Sequence, residues 1–264
     1  MRREGRRGVY ILPSILTIGN LFCGFYAIIA VYKNDLSKAA LAIVIALVLD
    51  CLDGAVARIA KAASDFGVEL DSLADLVSFG VAPGMLAYVF AMQPFGRIGW
   101  LAAFLFAACG ALRLARFNIQ TKKLDKRYFV GLPIPAAAGI IASSVLFLGE
   151  SPSLEIFDYQ VLSPEVTSAL MVVLVAVTAF LMVSKIRYRS LKEIDISRRH
   201  PFTILFSLLL AMLVVAWKPS LLLSGFFFLY ALSGFLRYLP LVRRRVLPDL
   251  GEELELTPGE PHSP

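Results

Sequence analysis

Four aspartates, Asp50, Asp53, Asp71 and Asp75, lie within apolar sequence at spacings of three and four residues. Positions three or four apart on a helix share a face. Asp50 and Asp53 therefore form one pair, and Asp71 and Asp75 another. An ionisable side chain inside a membrane segment is costly and marks a functional site by default. Four grouped carboxylates repel one another unless a positive partner holds them. The fitting partner is a divalent cation. Oxygen-only ligands suit Mg²⁺ or Mn²⁺ better than zinc. A pair of such ions can clamp both ends of a displacement at phosphorus.

Two other uses of these acids are possible. As membrane glue they would need basic partners, and Arg58 is the one arginine in register with them. As an ion or proton pathway they would belong to a transporter. That use leaves Gly54 and Gly67 unexplained. A transporter is also expected to show broken helices at mid-membrane and inverted repeats, and neither is visible in the sequence.

The elements that must position the acids are helices. The chain has 264 residues, of which 58% are hydrophobic, and its mean hydropathy is +0.73. Soluble domains are about 45–50% apolar, and a span needs about 20 mostly apolar residues. Eight segments qualify: 12–32, 37–60, 69–91, 98–118, 132–149, 165–184, 201–217 and 220–238. The second and third carry the acids, so they are expected to score lowest in hydropathy. Strand-type alternation is absent, and only helices or closed barrels cross lipid. The expected fold is an all-α polytopic bundle of about eight transmembrane helices. The first apolar stretch is long and lacks a following cleavage site, so it reads as a retained span rather than a signal peptide.

Basic residues set the orientation. With the N-terminus in the cytoplasm, 22 of the 26 Lys and Arg residues fall in or beside cytoplasmic segments, leaving Lys33, Lys38, Arg97 and Lys218 outside. This bias predicts both termini inside and a multi-pass protein of the inner (cytoplasmic) membrane. The net charge of +6 suits a protein facing anionic lipid and calls for no nucleic acid. Cys23, Cys51 and Cys109 all fall in apolar spans without a metal-like pairing, and free Cys there acts as a small hydrophobe. Residues 1–246 read as one integral domain. Residues 247–264, rich in Pro and Glu, read as a disordered tail.

The segments around the acids add phosphate chemistry. Gly54 directly follows Asp53, and a missing side chain lets a ligand come against the backbone. Arg58 points towards the cytoplasmic rim, where a guanidinium can fork onto a phosphate. Ser64, in the turn that follows, can donate to phosphate or ribose. Gly67 opens the third span. The second and third spans are antiparallel neighbours, so both acid-bearing ends are cytoplasmic and lie at similar depths.

The whole pattern, D-x2-D-G-x2-A-R-x8-G-x3-D-x3-D, resembles the signature of the CDP-alcohol phosphatidyltransferases. Eight fixed positions over 26 residues are matched by Asp50, Asp53, Gly54, Ala57, Arg58, Gly67, Asp71 and Asp75. The resemblance implies six core spans, a CDP-lipid donor and a site for Mg²⁺ or Mn²⁺, holding two ions. Carried over by position, Asp50, Asp53, Asp71 and Asp75 are metal ligands. Asp75 also takes the proton of the attacking alcohol. Gly54, Arg58, Ser64 and Gly67 contact the CDP moiety, and Pro13, Ser14 and Thr17 match the start of the first span, which also touches the nucleotide.

The stretches Leu12–Gly24, Asp71–Gly84, Arg113–Asn118 and Gly131–Pro135 resemble the phosphatidylserine synthase branch. The resemblance covers most of residues 10–150, with additional spans over 165–238. It implies CDP-diacylglycerol and L-serine as substrates in the bilayer, with a homodimer as a further expected partnership. A serine carboxylate needs a cation, and Arg113 or Arg116 at the end of the fourth span can supply it. Asn118 can add a hydrogen bond. The same arginines can simply mark the inner interface. Glycerol 3-phosphate or an inositol phosphate is the rival acceptor, and the basic cluster from Lys122 to Arg127 does not exclude it. Gly80 and Gly84 are expected to serve close helix packing, and Pro83 to kink the third span.

Overall fold

The computed structural model describes residues 7–60, 65–120, 128–149, 154–156, 159–189 and 219–236. Helices α1 (Arg7–Tyr32) and α2 (Leu36–Ala60) form a hairpin with the most extensive packing among the described elements. Their shared face is small: Ala27, Ala30, Ala39, Ala42 and Ala46 are buried. Without a hydrophobic drive between helices in lipid, close backbone approach is what holds them together. The turn is possible because Asn34 adopts φ 60, a left-handed conformation that Asn tolerates at helix ends. The amides of Asn34 and Asp35 bond back to the carbonyls of Val31 and Ala30 at 2.9 Å.

The third span begins as α3 (Asp65–Asp75). It continues through a π-helical turn (Leu76–Val81), α4 (Ala82–Ala87), a second π turn (Tyr88–Met92) and a 3-10 turn (Gln93–Phe95). Pro83 sits in the first turn of α4. It has no N–H for the preceding turn, and the π geometry just before it absorbs the mismatch. The first π turn starts directly after Asp75.

Helix α5 (Arg97–Gln120) packs along this span. A Cβ on Gly84 would lie 3.0 Å from the carbonyl oxygen of Ala103, and one on Gly80 would lie 3.7 Å from Cα of Ala107. The two glycines are therefore packing surface for α5. Helix α6 (Ile134–Leu148) is buried over most of its length and lies against α2, α7 (Pro164–Val183) and α8 (Pro219–Leu236). Ser163 caps α7 by accepting from the amide of Val166.

Four segments among the described residues are long and apolar enough to cross a membrane: Ser14–Tyr32, Phe66–Phe95, Arg97–Ile119 and Pro164–Val183. Ile134–Leu148 and Leu222–Ser233 are shorter apolar helices. Helix α2 is not among the four, in keeping with its load of Lys38, Asp50 and Asp53. The third span is among them in spite of its acids, because it extends to Phe95, beyond the expected 91. The expected span 201–217 lies outside the described residues. Phe22, Phe25, Phe104 and Phe180 are exposed on α1, α5 and α7, as a lipid-facing surface requires.

The bundle is helical, and two short antiparallel ribbons accompany it. Strand β1 (Tyr128–Val130) pairs with β4 (Arg187–Arg189). Strand β2 (Leu154–Ile156) pairs with β3 (Tyr159–Leu162). The sequence reading, which expected helices alone, did not include them, because runs of three or four residues are too short for an alternation signal. The first ribbon sets the connection before α6 beside the one after α7, so two connections expected on the cytoplasmic side lie together. Gly131, at φ 86, makes that junction. A Cβ there would meet the carbonyl oxygen of Met182 at 2.2 Å.

Candidate active site

The acids come from two elements. Asp50 and Asp53 lie one turn apart near the end of α2, and Asp71 and Asp75 one turn apart on α3. One carboxylate oxygen each from Asp50, Asp71 and Asp75 falls within a set whose members all lie within 4.8 Å of one another. Like charges this close strongly oppose joint ionisation unless a cation neutralises them. The donors are all hard oxygens, and Asp75 is buried while Asp50 and Asp71 are half-buried. This donor set fits a divalent cation of the Mg²⁺ or Mn²⁺ type.

Asp53 stands outside that group of three. It is buried, and its Oδ2 accepts a hydrogen bond from Thr17 Oγ1. Thr17 is itself buried on α1. The first helix thus reaches the acidic site, next to the residues expected to meet the nucleotide. Ser14 is half-buried one turn earlier on α1. Pro13 belongs to the same helix, and its side chain lies outside the described residues. So does the side chain of Arg58, whose backbone continues α2. Ser64 lies wholly outside them. Gly54 and Gly67 are half-buried at the facing ends of α2 and α3.

The three residues expected at the acceptor take different places. Arg113 is 8% exposed, and its Nε has no hydrogen-bond partner among the described residues. It lies within electrostatic reach of Asp75 and Asp50, and its guanidinium carbon is 6.0 Å from the centre of the Phe117 ring. Arg116 instead donates from Nη1 to the carbonyl of Val183 at 3.1 Å, capping the end of α7. Asn118 donates to Ser72 Oγ at 3.0 Å, tying α5 to α3 beside Asp71.

The sequence reading assigned no role to Asn20, Ser78 or Tyr230. Asn20 is fully buried and donates from Nδ2 to Asp75 Oδ1 at 3.0 Å. Its main-chain carbonyl accepts from Ser78 Oγ at 2.9 Å. Ser78 lies in the π turn, and a Cβ on Gly24 would lie 2.6 Å from its Cα. Tyr230 of α8 lies within electrostatic reach of Arg113. The signal for Asn20 was present: it is a lone amide in an apolar span, three residues after Thr17, and polar groups there mark function. Ser78 and Tyr230 carry no such signal.

A family model for CDP-alcohol phosphatidyltransferase matches residues 10–180. The chain belongs to this family. The match takes in most of α1, all of α2 to α6, most of α7 and every acid of the site, and it ends before α8. Among curated relatives, a CDP-diacylglycerol–serine O-phosphatidyltransferase of Helicobacter pylori is 38% identical over 232 residues, which is 88% of this chain and 92% of that protein. A Bacillus subtilis protein of the same name is 48% identical over 126 residues, 48% of this chain and 70% of its own length. One from Methanocaldococcus jannaschii is 42% identical over 133 residues, 50% of this chain and 59% of its own. As a member of the family, the chain carries its acidic cluster where family chemistry calls for a divalent metal.

Proposed function

We propose that this protein transfers a phosphatidyl group from CDP-diacylglycerol to L-serine, giving phosphatidylserine and CMP. The observation that carries the reading is the convergence of Asp50, Asp71 and Asp75 on one small volume, in a chain similar over most of its length to a relative named for that reaction. Asp50, Asp71 and Asp75 would hold the metal, and Asp53 would join them as a further ligand. Bound Mg²⁺ or Mn²⁺ supplies charge neutralisation for the pyrophosphate and its departing half.

The chain's own side chains do the rest. Asp75 accepts the proton of the serine hydroxyl, whose oxygen attacks the lipid-side phosphorus. The bond from that phosphorus to the CMP oxygen breaks, and CMP leaves with the electron pair. An alcohol is a poor nucleophile at neutral pH, and a positioned base gains typically 10²–10⁴-fold. Arg113, buried beside Asp75 with an open Nε, receives the serine carboxylate. Arg58, Ser64, Gly54, Gly67, Pro13, Ser14 and Thr17 form the nucleotide side. The site faces the cytoplasm in an eight-span arrangement with both termini inside, which the distribution of Lys and Arg supports.

The test is an acceptor panel with purified protein, CDP-diacylglycerol and Mn²⁺ or Mg²⁺. CMP release with L-serine, matched by phosphatidylserine formation, is the expected result. Release only with glycerol 3-phosphate or an inositol phosphate overturns the serine assignment and leaves the transfer chemistry standing.

A further inference from the structure

The side chain of Asn20 has one half employed and one half open. Nδ2 donates to Asp75 Oδ1 at 3.0 Å. With a cation at the site Asp75 would be ionised and could only accept, which sets the amide with its nitrogen towards Asp75 and its oxygen away. That oxygen is buried and has no donor among the described residues. Leaving a buried acceptor without a donor is costly. Ser78 Oγ donates to the main-chain carbonyl of Asn20 at 2.9 Å, which ties this turn of α1 to the third span. The close approach of Gly24 to Ser78 fixes α1 against the third span at the same level.

The position of the open oxygen restricts what it can meet. Thr17, on the proposed nucleotide side, reaches Asp53. Asn20 lies about one turn further along α1 and reaches Asp75 instead. A group arriving at Asn20 Oδ1 is therefore next to the proton-accepting carboxylate, where the acceptor alcohol stands. Arg113, within electrostatic reach of Asp75, offers a buried Nε that has no partner among the described residues. A buried amide oxygen, a buried guanidinium and a carboxylate base together match three groups on one small molecule: an ammonium, a carboxylate and a hydroxyl.

We propose that Asn20 determines acceptor specificity, its Oδ1 receiving the α-ammonium of an amino-acid alcohol while its Nδ2 orients Asp75. This rests on the proposed transfer to serine and names the atom that selects the amine. A phosphorylated alcohol brings only neutral hydroxyls to that oxygen and no ammonium, and a site built to hydrogen-bond a charged group disfavours an analogue lacking it.

The experiment compares L-serine with 3-hydroxypropionate, which keeps the hydroxyl and carboxylate and lacks the amine. Full-length protein with Mn²⁺ and CDP-diacylglycerol is assayed for CMP release as kcat/KM for each acceptor. The variants are Asn20→Leu, similar in size and without polar atoms, and Asn20→Thr, whose hydroxyl can still donate to Asp75 without offering a carbonyl. Wild type is expected to prefer serine by at least 10-fold, and either variant recovered as a monodisperse species to bring that ratio to within about threefold of unity. The KM for CDP-diacylglycerol should stay near wild type. If serine and 3-hydroxypropionate fall by the same factor, Asn20 only positions Asp75 and the ammonium assignment is overturned. If wild type releases no CMP with serine, the parent reading fails and this one with it.

Discussion

Thr17 Oγ1 donates a hydrogen bond to Asp53 Oδ2, joining α1 to α2 at the buried edge of the acidic site. Both residues are buried, so the bond satisfies a carboxylate that water does not reach freely. Replacing Thr17 by Val keeps the shape and removes the donor. The expected loss is about 1–3 kcal/mol of stability, read as a lower unfolding temperature in detergent, whereas Thr17→Ser should stay within about 0.5 kcal/mol of wild type on the same hydrogen-bond argument. Equal unfolding temperatures for Val and wild type would remove the bond from the account.

Asp75→Asn keeps the size and the neighbour Asn20 while removing the basic oxygen. We expect kcat to fall by at least about 10²-fold, the lower end of what a positioned base contributes, in protein that still inserts and purifies. Near-normal turnover would assign the proton to another group.

Mn²⁺ binding to Asp50→Ala and Asp71→Ala should weaken at least 10-fold, measured by the paramagnetic resonance of free Mn²⁺ in the absence of substrate. Chelation should stop CMP release, and added Mn²⁺ or Mg²⁺ should restore it. Activity that survives exhaustive chelation would leave the cluster of carboxylates without a catalytic cation.

The two arginines of α5 should separate. Arg113→Ala is expected to raise the KM for serine more than that for CDP-diacylglycerol, because its buried Nε has no partner among the described residues and the side chain lies within electrostatic reach of Asp75. Arg116→Ala removes the cap on the Val183 carbonyl. It should lower the unfolding temperature and leave both KM values within about twofold, a hydrogen bond to a charged group being worth about 1.5–3 kcal/mol. The reverse pattern would exchange their roles.

Gly24→Ala tests the interlock behind Asn20. The added methyl would lie 2.3 Å from Ser78 Oγ and 2.6 Å from Ser78 Cα. Backbone cannot step aside as a side-chain tip can, and overpacking of this kind costs about 1–3 kcal/mol. Turnover should fall with stability, since the same shift moves Asn20 away from Asp75. Gly110→Ala is the comparison: its nearest obstacle is the Cδ1 of Ile134 at 2.5 Å, the far end of a flexible chain, and it should be milder on both readouts.

The acids and their helices were legible in the sequence because the signal is local. A carboxylate inside an apolar run stands out against its neighbours, and spacings of three and four map directly onto a helix face. Seven of the eight expected spans coincide with described helices to within a few residues at most ends, for the same reason. The ribbon of Tyr128–Val130 with Arg187–Arg189 escaped because pairing across nearly sixty residues leaves no local trace. Arg113 and Arg116 looked alike, being three apart at one helix end. What separates them is contact with Val183 in one case and burial beside Asp75 in the other.

By itself, then, the order of residues determined the family, the bundle and the acidic pairs, since each depends on composition and on intervals within one helix. Only the tertiary structure decided that Asp53 is held by Thr17 while the other three acids converge, and that Asn20 orients Asp75 with its own oxygen left open. Those relations cross from α1 to α2 and α3, and they depend on how closely Gly24 and the small residues of the hairpin let the helices approach, a distance that no single segment encodes.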